Sequence, residues 1–175
     1  LVPMWQEYCC ARKGGREIEE ALQKLAGLLE GKNYFVVSVS TNSVLARIPW
    51  KEGRLVMPCG SCLKKQCVKG CEEQLSELTP EDKAALEAAF AELAEGHFPK
   101  DGIPELGRCA KCGGEMVLNN IYAEGYAEEA YMEQWKLYTK WLQSTLNRRL
   151  LLLELGVSMQ FPTVIRWPFE KVAFY

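Results

Sequence analysis

Eight cysteines stand among the 175 residues, and six of them fall into two groups, Cys59 to Cys71 and Cys109 to Cys112. Cys67-x3-Cys71 and Cys109-x2-Cys112 are close pairs separated by a long insertion. Two short-spaced pairs can bring four thiolates to one tetrahedral Zn²⁺. Gly70 sits inside the first turn, and Gly113 and Gly114 follow the second. Small residues there let backbone N–H groups turn toward sulfur. Four thiolates leave a charge of about −2 on the site. Lys64, Lys65, Lys69, Arg108 and Lys111 lie nearby in sequence to offset it. Such a site has no open position, so the zinc would be structural. An iron–sulfur cluster also uses four thiolates. Cys59 and Cys62 are competing ligands, and the plain alternative is buried free thiols or a disulfide. Cys9 and Cys10 read as core or partly exposed thiols of a helix. His97, the sole histidine, lies in a Pro-rich loop and reads as a surface residue.

A second stretch, "LELGVSMQFPTV", runs from an apolar strand-like segment into Gly156-x-Ser158 and on toward a helix. In α/β folds the carboxyl end of a strand opens onto the ligand crevice, and a helix N-terminus favours an anion. Gly156 permits close backbone approach and Ser158 offers a hydroxyl. Thr41 and Asn42, after "NYFVVSVS", are polar turn formers or ligand contacts. Pattern alone does not separate these uses from tight turns.

The elements that must position these residues alternate. Arg16 to Glu30 reads as a helix, with Ile18, Leu22, Leu25 and Leu29 at helical spacing and Gly31 as a stop. "NYFVVSVS" (33–40) and "RLVM" (54–57) read as strands. "TPEDKAALEAAFAELAEG" (79–96) is a helix with Thr79 as cap, Pro80 in the first turn and Gly96 at the end. "HFPKDGIPELG" is loop. Ala127 to Asn147 reads as a long amphipathic helix, "RLLLLELGV" (149–157) as a fully buried strand, and a short helix starts near Thr163. The aromatic stripe Tyr131, Trp135, Tyr138 and Trp141 reads as core packing before it reads as a contact surface.

This order predicts an α/β fold, a Rossmann-like parallel sheet with helices on both faces plus a small zinc-binding module. The sheet domain would comprise 1–57 and 119–175, with the module and its helix inserted at 58–118. Apolar residues make up 48% and charged residues 25% of the chain, a balance that supports a core. The net charge of −2 gives no reason to expect a nucleic-acid or anionic-membrane partner. "LLLLELGV" is too short to span a bilayer, and the first residues do not read as a secretory signal. Paired cysteines without an export signal point to metal use in a reducing compartment, so a cytoplasmic location is expected.

Taken together and in order, these motifs resemble the sirtuins, most closely their divergent macrodomain-linked branch. "STN" (40–42) is similar to the family's Thr-Gln-Asn-Ile-Asp stretch, "MPCG" (57–60) to its Leu-His-Gly stretch, and the cysteine pairs to its zinc knuckle. "ELGVSMQFP" is similar to its Gly-Thr-Ser dinucleotide motif. Sirtuins commonly carry the first zinc cysteine eight residues after the catalytic histidine, and Cys67 falls eight after Cys59.

The resemblance implies NAD in a cleft between the sheet domain and the zinc module. Asn42 then matches the asparagine near the nicotinamide ribose, and Thr41 the glutamine beside it. Gly156 and Ser158 match the Gly and Ser that contact NAD. Cys67, Cys71, Cys109 and Cys112 match the zinc ligands. Cys59 stands where the family has its histidine, and Val44 where it has an aspartate. No Gly-x-Gly-x-x-Gly turn is present, and "KGGREIEE" follows no strand. The first strand of such a fold would precede Leu1 and its last strands would follow Tyr175. The implied activity is NAD-dependent modification of protein side chains, by ADP-ribosyl transfer or deacylation. A base with a pKa near the working pH serves the deacylation step. A thiol, near 8.5 when unperturbed, serves only if its pKa is depressed. Loss of the histidine therefore tilts the expectation toward transfer onto a protein acceptor. The alternative is a catalytically degenerate NAD-binding or zinc-stabilised interaction protein.

Overall fold

The computed structural model describes Trp5, Tyr8, Cys9 and residues 15–71, 75–100 and 102–174. Cys10, Lys13 and Gly14 lie outside the described residues. The fold is mixed α/β, with two small sheets and five helices among the described residues.

Helix α1 (Gly15–Leu29) matches its apolar spacing. Leu22, Leu25 and Leu29 are half-buried, while Ile18 stays exposed. Gly31, at φ +72°, supplies the left-handed stop. Strand β1 (Val36–Val37) pairs in parallel with β2 (Leu55–Val56), Val36 opposite Leu55. Val36 N–H donates to Arg54 O at 2.8 Å and Ser38 N–H to Val56 O at 3.0 Å. The eight-residue strand expected at 33–40 is thus cut to two residues. The serines explain this: Ser38 Oγ accepts from Ser40 N–H, and Ser40 Oγ from Asn42 N–H, which turns the backbone away from the ladder. Helix α2 (Val44–Arg47) follows at once.

The second sheet has the order β4-β3-β5, from β3 (Gly60–Cys67), β4 (Ser76–Glu77) and β5 (Met116–Asn120), all antiparallel. Helix α3 (Pro80–Ala94) opens with the expected cap. Thr79 Oγ1 accepts from Asp82 N–H at 3.1 Å, Asp82 Oδ2 accepts from Thr79 N–H at 3.0 Å, and Pro80 leads the helix. Cys67, Leu78, Leu86, Phe90, Leu106 and Met116 form a buried cluster with Cys109 and Leu118, so this core lies between β3, α3 and β5. Lys65 Nζ reaches Asp82 Oδ2 at 2.6 Å, with both side chains largely buried.

Helix α4 (Glu129–Gln143) lies against β2. Its aromatic stripe packs, as the spacing predicts: Tyr138 is buried, and its ring lies 5.3 Å from those of Phe35 and Trp135. Helix α5 (Arg166–Phe174) closes the described chain. Between α4 and α5 the expectation fails. Residues 149–154 carry no regular secondary structure, and Leu151, Leu153 and Leu155 are 86, 58 and 61% exposed. Exposure alternates along this run, as in a strand, but its backbone has no ladder partner among the described residues. An apolar run becomes a buried strand only when other strands pair with it. Among the described residues no helix is long and apolar enough to cross a membrane.

Candidate metal centre and nucleotide site

The sulfurs of Cys67, Cys71, Cys109 and Cys112 all lie within 4.8 Å of one another. Strand β3 delivers Cys67 at its last position, and the turn before β5 delivers Cys109 and Cys112. Each turn is built for this. Gly70 and Gly113 take φ +65° and +68°, which let the chain double back. Lys69 N–H donates to Cys67 Sγ and Gly114 N–H to Cys112 Sγ, both at 3.4 Å. A Cβ on Gly114 would stand 3.2 Å from Cys112 Sγ, so glycine admits the sulfur.

The cluster fits a tetrahedral ion. Zn–S bonds of about 2.3 Å place sulfurs about 3.8 Å apart. Cys67 Sγ and Cys112 Sγ are 3.6 Å apart. Burial pushes the Cys67 thiol up, but the N–H groups of Lys69 and Cys71 and the neighbouring thiols outweigh it and hold it at about 6. Its neighbour Cys71 is pushed up to about 12, first by the Cys112 thiol and then by burial. A thiolate thus forms readily at Cys67 and is resisted at Cys71. Two of the expected counter-charges are engaged elsewhere: Lys65 with Asp82, and Arg108 with Glu105 and Glu115. Cys59 and Cys62 lie outside the four-sulfur group.

The second group of residues gathers at the carboxyl ends of β1 and β2. Parallel pairing sends Thr41 and Cys59 to the same end. Thr41 O accepts from Cys62 N–H at 2.8 Å, which joins the two strand exits. Asn42 Oδ1 accepts from Val44 N–H at 3.1 Å. Its amide Nδ2 makes no hydrogen bond among the described residues. Thr41, Ser43 and Val44 are buried around it. Cys59 is fully buried, and burial raises its thiol to about 11. At neutral pH Cys59 is therefore a neutral thiol.

Gly156 and Ser158 are exposed and make no hydrogen bond to Thr41, Asn42 or Cys59 among the described residues. Their loop is nevertheless tied to that end. Gln160 Nε2 donates to Tyr122 Oη at 2.8 Å, Tyr122 N–H donates to Asn120 Oδ1 at 3.0 Å, and Asn120 pairs with Gly60. Gly156, at φ +63°, faces open space.

A buried polar network on the neighbouring strands had no counterpart in the sequence analysis. Asn119 and Gln66 are fully buried: Asn119 Nδ2 donates to Gln66 Oε1 at 2.7 Å, and Gln66 Nε2 to Gly125 O at 2.9 Å. Tyr126 Oη donates to Pro58 O at 3.1 Å, beside Cys59. The doublet "NN" closing an apolar run was the available signal.

No family model matches the chain. Its sequence is 23% identical, over 177 positions, to a protein of Staphylococcus aureus (strain Mu50) named protein ADP-ribosyltransferase. This chain is similar to ADP-ribosyltransferases. The match takes in 96% of the chain and 54% of that relative. A Fusarium oxysporum f. sp. cubense protein, named probable bifunctional ADP-ribose hydrolase/ADP-ribosyltransferase, is 26% identical over 81% of the chain and 24% of its own length. The chain thus spans about half or less of the relatives it matches.

Proposed function

We propose that this chain is the NAD-binding body and zinc knuckle of a sirtuin-like enzyme that transfers ADP-ribose to a protein side chain. Similarity to two proteins named as ADP-ribosyltransferases supports the reaction class. One observation carries the choice of transfer over deacylation. Cys59, at the strand end that in sirtuins bears a histidine base, is fully buried with its thiol raised to about 11. A thiol protonated at neutral pH takes up no proton.

NAD supplies an ADP-ribosyl group, released when its bond to nicotinamide breaks and an acceptor side chain bonds to the same ribose carbon and gives up a proton. The chain's part is orientation. Asn42 offers its Nδ2 to the nicotinamide ribose, and Thr41 flanks it. Gly156 lets the backbone approach the dinucleotide, and Ser158 gives a hydroxyl. Cys67, Cys71, Cys109 and Cys112 hold the structural zinc, which fixes the turns at the foot of β3 and β5.

Val44, buried where sirtuins have an aspartate, favours a second reading: a chain that holds NAD without turnover. Adenylate-labelled NAD decides between them, in the zinc-loaded chain with a lysate as acceptor source. Transfer predicts nicotinamide release and label on protein. It also predicts a loss of at least about tenfold in Asn42→Ala, the scale of one lost orienting contact, with activity kept in Cys59→Ala. A raised melting temperature with no nicotinamide released supports the second reading. Neither effect at millimolar NAD refutes both.

A further inference from the structure

The parallel pair has a second end. Phe35 and Arg54 precede β1 and β2, so they stand at the amino ends, opposite Thr41 and Cys59. An open groove of about 500 Å³ lies there, between this end and the last turns of α4. Its volume suits a small ligand. One wall is aromatic: Phe35 and Trp141 have ring centroids 5.8 Å apart, and the Trp141 indole N–H is fixed on Asn33 Oδ1 at 2.8 Å. The rim is cationic. Lys51, Arg54 and Lys140 line it, against the single carboxylate of Glu52. No carboxylate pairs with these three cations among the described residues. The Arg54 guanidinium already lies 5.9 Å from the Phe35 ring centroid, a cation held on an aromatic face. Gly53, at φ +68°, also lines the groove, and a Cβ there would stand 3.3 Å from Leu137 Cδ1.

In a chain of net charge −2, three cations that no described carboxylate pairs, beside an aromatic wall, are a local reversal of sign. We infer that this groove binds a mononucleotide-sized ligand, a planar ring that rests on Phe35 and Trp141 and carries a phosphate held by Arg54, Lys51 and Lys140. Aromatic faces accept any base, and guanidinium and ammonium groups supply the phosphate contacts. The ring and the phosphate are both required, because neither wall alone encloses a ligand. This inference stands apart from the NAD reading, since the two sites share no residue.

Calorimetric titration at low salt tests it, with AMP, adenosine and inorganic phosphate as probes of the zinc-loaded chain. AMP should bind at least about tenfold tighter than adenosine or phosphate, as expected when stacking and charge act together. Arg54→Glu and Lys140→Glu should each weaken AMP about tenfold or more, and Glu52→Gln should tighten it. Lys140 is exposed, so its variant keeps the fold, which an unchanged melting temperature verifies. AMP affinity should not move in Asn42→Ala. Absence of binding at millimolar AMP, indifference to both charge reversals, or loss of binding in Asn42→Ala would each overturn the inference.

Discussion

At Gly60 the backbone leaves no room for a side chain. Its φ is +91°, and a Cβ would fall 2.4 Å from Asn119 O and from Asn120 Cα. Both the strained angle and the collision are with fixed backbone, so Gly60→Ala should cost about 3 kcal/mol or more in urea unfolding. It should also disturb Cys59 next to it. A cost below about 1 kcal/mol would mean that β3 and β5 separate easily there. The cysteines make the second prediction at this scale. Cys109→Ser should lose bound zinc by elemental analysis and melt the region around β3 and β5, while Cys9→Ser keeps both. Equal zinc in the two variants would remove the metal assignment. The four clustered cysteines were legible because each pair is local: three residues and two residues separate the partners. Gln66 and Asn119 were not, because 53 positions separate two polar groups that become neighbours only when β3 pairs with β5.

Helix α3 shows how far an element can be read from its own residues. Thr79, Pro80 and Asp82 form its cap, and Gly96, at φ +85°, ends it, as their types indicate. Thr79→Ala should therefore cost about 1 kcal/mol in thermal or urea unfolding. Asp82 has a further task that its sequence position does not reveal, the pair with Lys65 of β3. Burial raises the Asp82 carboxyl, but Lys65 and the Thr79 N–H outweigh it and hold it below the ordinary aspartate range. A carboxyl depressed in the fold stabilises above its unfolded pKa, and that contribution is lost as pH falls through the folded value. Stability should thus decline below about pH 4, and the decline should be shallower in Asp82→Asn, read by urea unfolding across pH. Equal slopes would show that the pair contributes nothing. The run at 149–157 marks the opposite limit. Its composition states that it is apolar on both faces, but what covers those faces is a property of other strands.

Across the whole molecule, two zones answer to different constraints. The buried cluster from Cys67 to Leu118 supports the four-sulfur centre, and the parallel pair with α4 supports the polar strand ends. The α/β character was legible from alternating helix and strand patterns. The lengths were not, since Ser38 and Ser40 cut β1 short through bonds to their own backbone. The loop of Gly156 is tied to the strand ends through Gly60, Asn120, Tyr122 and Gln160, residues of no evident chemistry in sequence. The choice of transfer over deacylation rests on the neutral thiol of Cys59, just after β2. Its most direct test sets nicotinamide release from NAD beside deacylation of an acetyl-lysine peptide, in the zinc-loaded wild type and in Cys59→Ala. Transfer without a thiol base predicts nicotinamide release in both proteins at similar rates, with no deacylation in either. Deacylation by the wild type that disappears in Cys59→Ala would make Cys59 a working base and contradict it.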